Sequence, residues 1–328
     1  MFHAMRLMRA GGALEWTALP ERAPGAGEVR LRVAACGVCR TDLHVLDGEL
    51  PDIRYPVTPG HQIVGRIDAL GAGAGHLKIG QRIGIPWLGR TCGHCAYCRA
   101  GRENLCDDPL FTGYTRDGGF ATMAIADARY AFPLGEEGDD TALAPLLCAG
   151  LIGWRSLAMA GPGRILGLYG FGAAAHIILQ VARWQGRRVF AFTRPGDRKS
   201  QAFARHLGAD WAGESGETPP EPLDTAIIYA PVGALVPLAL KAVRKGGKVV
   251  CAGIHMSDIP SFPYDLLWQE RELTSVANLT RQDAADFFAI LPQAGIQVQT
   301  VLYKLADANR ALEDLRVGRF EGPAVLVP

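Results

Sequence analysis

At 328 residues, 48% of them hydrophobic and 20% charged, the chain can bury ample core, and its length predicts two domains rather than one. Its formal charge of +1 offers no electrostatic footprint for nucleic acid or an anionic membrane, and no basic run interleaves with aromatics. The opening segment MFHAMRLMRAGG lacks the apolar core of a secretory signal, so the expectation for its eight cysteines is a reducing cytoplasm, not a disulfide framework.

The first half reads as short β runs, VRLRVAAC and IVGRIDALG among them, separated by Gly and Pro clusters, which predicts a mostly β domain over residues 1–149. Cys39 follows the first of these runs, His61 stands just before the second, and Cys148 lies at the domain's end. A set of two thiolates and one imidazole that leaves a fourth position open has the composition of a catalytic zinc site. Taken one at a time, the same residues read equally as buried thiols and a satisfied core histidine. Cys92, Cys95, Cys98 and Cys106 lie together in CGHCAYCRAGRENLC. Four thiolates at such short separations can close tetrahedrally on one zinc ion with no position left for substrate, so the lobe at 92–106 is predicted to be structural. His94 within it is expected to be solvated loop. Cys36 and Cys251 are expected to be small buried hydrophobes.

From about residue 150 the texture changes. RILGLYG, RRVFAFT, DTAIIYA and GKVVCAGI are apolar runs alternating with helical patterns such as AAHIILQVARWQG and VPLALKAVRKGG, which predicts a doubly wound parallel sheet over 150–292. The apolar stretch from Ile165 to Ala182 is broken by Gly167, Gly170 and Gly172 and contains His176 and Gln180, so it reads as strand, turn and helix and not as a membrane span. Within it Gly170, Gly172 and Ala175 form GFGAAA, a GxGxxA variant of the dinucleotide fingerprint, placed after a strand and opening a helix. The first glycine serves the tight turn, the second lets backbone approach a pyrophosphate, and the alanine allows close helix packing. The helix N-terminus then offers unpaired N–H groups to phosphate. About twenty residues on, where a carboxylate would hold the ribose 2′-OH of NAD, stand Thr193 and Arg194, with Arg198 and Lys199 close behind. These cations can give a 2′-phosphate charge-assisted hydrogen bonds worth about 1.5 to 3 kcal/mol each, so NADP(H) is expected in preference to NAD(H). GESGETPPEP at 213–222 reads as a surface loop, and the tail at 293–328, ending in GPAVLVP, is expected to rejoin the first domain.

The motifs CGVCRTDLH at 36–44, PGHQIVG at 59–65, the cysteine lobe, GYTRDGGFATM at 113–123, APLLCAGLIGW at 144–154 and the fingerprint together resemble the zinc-containing medium-chain alcohol dehydrogenases. The resemblance runs from the N-terminus to the last strand. It implies an α/β protein: a GroES-like, mostly β catalytic domain from the two chain ends, with a Rossmann coenzyme domain inserted between them and the active site in the cleft. Two zinc ions per chain, a small alcohol or aldehyde substrate and a homo-oligomer, dimer or tetramer, are implied as well. By the same resemblance Cys39, His61 and Cys148 are the catalytic zinc ligands, Thr41 accepts the alcohol proton and His44 passes it to solvent, and Asp42 orients the zinc histidine. Arg40 and Arg281 fall where family arginines contact the cofactor pyrophosphate, and Ile152 falls where the family often packs a Thr on the nicotinamide. Gln62 replaces the usual Glu after the zinc histidine, which removes one negative charge near the metal and implies a more electrophilic zinc. Leu50, where ethanol-specialised relatives carry Trp, and Trp87 as an apolar wall imply a roomier pocket for medium aliphatic or aromatic substrates. Two other readings share the scaffold. A quinone or enoyl reductase has no need of the Cys39, His61, Cys148 set, and a noncatalytic nucleotide-binding protein has no need of the Thr41–His44 relay.

Overall fold

Apolar residues at every second position make Glu28–Val38 (β1) a strand with one dry face: Val29, Leu31, Val33 and Ala35 are buried, while Arg30 and Arg32 on the other face pair with Glu21 and Asp68. The computed structural model describes residues 1–319 and 322–328 of the chain. The helix Arg40–Asp47 (α1) starts two residues after β1 ends. β1 pairs antiparallel with Ile63–Leu70 (β2), and β2 in turn with Arg82–Ile85 (β3). On its other side β1 takes Ala324–Val327, with Ala324 opposite Val38 and Leu326 opposite Cys36, and Met123–Asp127 also pairs with it. The last strand therefore lies in the sheet that carries the first cysteines, between β1 and Val301–Lys304.

A second unit begins at Ala149 with the helix Ala149–Ala160 (α2). Its strands are Ile165–Tyr169 (β4), Arg188–Thr193 (β5), Trp211–Glu214 (β6), Leu223–Ile228 (β7), Val243–Cys251 (β8) and Glu272–Ser275 (β9). All run parallel, in the order β6-β5-β4-β7-β8-β9. This is the doubly wound arrangement, whose strand order reverses beside the first strand. Strands covered on both faces read as continuous apolar runs, and Leu166, Leu168, Val189, Phe190, Ala191, Phe192, Ile227 and Ile228 are accordingly all buried. The apolar stretch 165–182 divides into β4 and the helix Ala173–Trp184 (α3), and among the described residues no single helix is long and apolar enough to cross a membrane.

Two boundaries differ from the sequence reading. The helix predicted through VRKGG ends at Ala242, and Val243 already begins β8. The return to the first unit comes at Asn278, not at 293: unit one comprises 1–148, 278–289 and 297–328, and unit two comprises 149–277 and 290–296. Pro292 does not mark a break: Arg281–Ala294 (α4) carries that proline inside its last turn. The first part of α4 is held in unit one by long-range contacts with no local signature, Arg281 to Glu103 and Phe288 against Phe132 at 6.2 Å between centroids.

Candidate metal and cofactor sites

Both metal clusters and the residues around them lie in unit one. Cys39 is the extended N-cap of α1, and a reciprocal capping box ties it to Asp42: the cysteine sulfur faces the Asp42 N–H, and Asp42 Oδ2 accepts the Cys39 N–H at 2.9 Å. The other carboxylate oxygen, Oδ1, accepts the Gly60 N–H at 3.2 Å and lies 3.1 Å from His61 Nδ1. A carboxylate only accepts, so Nδ1 carries a proton, and Nε2 is left facing Cys39 Sγ at 3.1 Å. Cys148 follows a short 3-10 turn containing Pro145 and brings its sulfur to the same point: the Cys39, His61 and Cys148 ligand atoms all lie within 4.8 Å of one another. The turn before His61 requires its glycine, since Gly60 has φ +96° and a Cβ there would stand 2.4 Å from Phe120.

The electrostatics suit a cation. The Cys148 thiol holds Cys39 well below its ordinary pKa against the cost of burial, and that same contact, with burial, pushes Cys148 well above. Burial alone would depress His61, but the Cys39 and Asp42 charges hold it well above its usual value. Anionic sulfur and carboxylate gathered in a buried pocket are the charge a divalent metal neutralises. Two thiolates and one imidazole, with a second-row carboxylate fixing the imidazole tautomer, match the donor set of an open zinc site.

Around this centre the predicted residues are distributed unequally. Thr41 is half-buried in the first turn of α1, and its side chain adds to the groups that hold Cys39 below its ordinary pKa. His44 lies one turn on and its Nδ1 meets the Glu49 carboxylate, a partner the sequence reading did not foresee. Arg40 is exposed at the helix start. Gln62 is buried with its side chain over Gly37, where a Cβ would meet Gln62 Oε1 at 2.3 Å. The Trp87 and His61 rings meet nearly perpendicular at 5.1 Å, and Trp87 stacks on Phe111 at 5.1 Å and on Tyr114 at 5.7 Å. Phe111 and Tyr114 were not singled out in the sequence; Tyr114 lies within the GYTRDGG motif, but nothing local says that it stacks. The Tyr114 hydroxyl donates to the Pro51 carbonyl, next to Leu50, and Leu50 and Trp87 both pack against the main core of the unit.

The four cysteines of the lobe are all unbridged, and their sulfurs lie within 4.8 Å of one another. Cys92 and Cys98 Sγ are 3.9 Å apart, far beyond a disulfide bond. Backbone N–H groups donate to the sulfurs: Cys95 to Cys92, Cys98 to Cys95, and Cys92 and Asp108 to Cys106, at 3.3 to 3.4 Å. The Cys98 N–H bond leads in bringing the Cys95 thiol down to about 6, whereas burial pushes Cys106 up to about 12. His94 is exposed, as expected. The lobe also holds Arg281: Glu103, buried between the third and fourth cysteines, accepts both the Arg281 backbone N–H and its Nε at 3.0 Å, and the guanidinium lies over the Tyr130 ring.

In unit two, Gly170 has φ +85°, and a Cβ there would stand 2.7 Å from the Ala230 backbone nitrogen. Gly172 is the N-cap of α3 with no side-chain cap, and a Cβ on it would meet nothing within 4 Å. The open space in front of that uncapped helix end is a cradle for an anion. Ala175 is fully buried, and the His176 imidazole, brought down to about 4 by burial and so neutral, lies 3.1 Å from the Phe171 carbonyl through Nε2. Ile152 is half-buried on α2.

The end of β5 corrects the sequence reading. Thr193 is not a free ligand for a ribose: it is buried, with its hydroxyl donating to backbone carbonyls and accepting from Gln201 Nε2 at 3.1 Å. Arg194 is exposed, its side chain at 90%, but a carboxylate does stand nearby, because Asp197 lies 3.6 Å from it. Asp197 caps the helix Arg198–His206 through the Ser200 N–H. Lys199 is exposed in the first turn of that helix.

Residues 25–136 match the family described as alcohol dehydrogenase GroES-like domain. Over 324 residues, 96% of the chain, the sequence is 47% identical to probable alcohol dehydrogenase AdhA of Mycobacterium tuberculosis (strain CDC 1551 / Oshkosh), covering 93% of that protein. It is 32% identical to an alcohol dehydrogenase of Geobacillus stearothermophilus, with 92% of each chain covered. Among solved structures, acetophenone reductase from Geotrichum candidum NBRC 4597 in complex with NAD is similar over 100% of this chain and 97% of that one, with a TM-score of 0.87 and 26% identity.

Proposed function

For a chain that belongs to the zinc-containing medium-chain alcohol dehydrogenase family, and so is an alcohol oxidoreductase, we propose zinc-dependent interconversion of medium aliphatic or aromatic alcohols and aldehydes with NADP(H) as the preferred cofactor. The observation that carries the reading is the convergence of Cys39, His61 and Cys148 on one point, with Asp42 behind the imidazole. When bound, zinc supplies an electrophile for the substrate oxygen and the nicotinamide supplies or takes the hydride.

The chain's own residues do the rest. Asp42 keeps the His61 proton on Nδ1, so Nε2 faces the metal position. The Thr41 hydroxyl, beside Cys39, accepts the proton of the alcohol on Oγ1 as it releases its own, and His44, engaged by Glu49, passes a proton outward. The stacked rings of Trp87, Phe111 and Tyr114 form an apolar slab beside His61 that excludes water and favours flat substrates, with Leu50 at its margin. The first turn of α3, opened by Gly172, holds the pyrophosphate. Ile152 packs on the nicotinamide, and Arg194, with Lys199 behind it, binds the 2′-phosphate.

The test is kcat/KM for reduction of benzaldehyde by NADPH and by NADH, with protein purified without chelator. NADPH is expected to be favoured at least about tenfold, and Arg194→Ala to abolish the preference. Asp197 supports the opposite assignment: a preference for NADH would make that carboxylate the ribose partner and overturn the Arg194 reading while leaving the reaction class intact.

A further inference from the structure

Unit one contains a cavity of about 800 Å³ that includes none of the seven metal-ligand cysteines and histidine. Its volume is within the range of small-molecule sites. Arg22 and Arg90 lie exposed along it, and neither guanidinium pairs with a carboxylate among the described residues. Arg116 also lines it, and its side chain is only 16% exposed. Arg116 is anchored by the Gly89 and Ile125 carbonyls and by Glu28 at 3.3 Å, which also lines the cavity, so its position is fixed by the fold. Burial, with the Arg22 and Arg90 charges adding to it, holds the Arg116 guanidinium below its ordinary pKa, in spite of Glu28 and Asp127.

The other charges bordering the cavity are already committed. Asp127 is bound by Arg129 at 2.7 Å, Asp117 is 3.5 Å from Arg6 and accepts the Thr58 N–H, and His76 lies 3.2 Å from the Ala128 carbonyl through Nε2. What remains is two guanidinium groups without a carboxylate partner, Arg22 and Arg90, beside the Glu28-bound Arg116, and an anion would relieve their mutual repulsion. Guanidinium groups match the planar and tetrahedral oxygen sets of carboxylate and phosphate. The remaining wall is apolar, with Phe2, Leu19, Leu110 and Met123.

We infer that this cavity is a second ligand site, for a small organic anion whose phosphate or carboxylate head is held by Arg22, Arg90 and Arg116 and whose apolar body lies against Phe2 and Leu110. The inference is independent of the oxidoreductase reading. It is tested by isothermal titration of the full-length Arg194→Ala protein, in which the expected nucleotide-phosphate contact is removed, with phenyl phosphate, phthalate and inorganic phosphate. Saturable binding of phenyl phosphate or phthalate at one site per chain is expected, with inorganic phosphate weaker by about tenfold for want of apolar contact. Arg22→Ala and Arg90→Ala, at exposed positions that the fold does not need, are each expected to weaken it about tenfold or more. Tighter binding of phenyl phosphate identifies the head as phosphate, and tighter binding of phthalate identifies it as carboxylate. No saturable binding of any of the three, or an affinity unchanged in both arginine variants, would overturn the inference.

Discussion

Replacing Asp42 with asparagine tests the metal centre at its least exposed point. The carboxylate is 1% exposed and receives the Cys39 N–H, the Gly60 N–H and the His61 Nδ1 proton. Asparagine has nearly the same shape but offers one accepting oxygen and one NH2 group. Whichever way the amide turns, a donor then faces either the Cys39 N–H or the pair from Gly60 and His61. A hydrogen bond to a charged acceptor contributes about 1.5 to 3 kcal/mol, so losing one corresponds to roughly tenfold to a hundredfold at about 1.4 kcal/mol per decade. That agrees with the roughly 10- to 100-fold typical for removing the partner of a metal-bound histidine. Zinc affinity of the weaker of the two sites, measured by competition with a chromophoric chelator, is expected to fall by that factor in Asp42→Asn, with the lobe zinc retained and thermal stability at saturating zinc little changed. A variant whose zinc affinity and kcat both stay within about twofold of the parent would refute the assignment of Asp42 as the orienting group.

Gly170→Ala and Gly172→Ala separate fold from function in one loop. The first adds a Cβ 2.7 Å from the Ala230 backbone at φ +85° and is expected to lower the melting temperature by several degrees, whereas the second adds one into open space and should leave the cofactor-free melting temperature unchanged while weakening NADPH binding, read by fluorescence titration. Cys98→Ser removes one of four lobe thiolates and is expected to lower zinc content by one ion per chain with a large loss of thermal stability, checked by metal analysis and calorimetry. Glu103 is pushed up by burial, yet the Arg281 N–H and guanidinium hold it below the usual carboxylate range. A carboxyl depressed in the folded state stabilises fully above its unfolded pKa of about 4.3 and loses that contribution as pH falls through the folded value, so Glu103→Gln should melt below the parent at pH 7, with the gap closing below about pH 4.

How much of this was legible in the sequence depended on how far apart the partners stand along the chain. The cysteine lobe was readable because its ligands span only residues 92–106, and local turns suffice to bring four sulfurs together and aim N–H groups at them. The fingerprint was readable for the same reason: a strand, a turn and a helix in immediate succession put Gly170 at positive φ and Gly172 at an uncapped helix end. Spacing could only nominate Cys39, His61 and Cys148, and resemblance selected them. The pairing of β1 with β2 and the turn at Cys148 are what bring them within reach. The aromatic stack of Trp87, Phe111 and Tyr114, the ring of arginines around the cavity, and the Glu103–Arg281 contact across 178 residues were invisible, because side chains from different elements meet only after packing. Thr193 shows the converse. Its place at the end of a strand was read correctly, but a strand directs side chains alternately to opposite faces, and only the packed sheet decided that this one turns inward to Gly213 and Gln201. Sequence determined the chemistry that local backbone geometry can express, and tertiary structure decided which distant groups share a space, because that depends on the register of strands and the docking of helices.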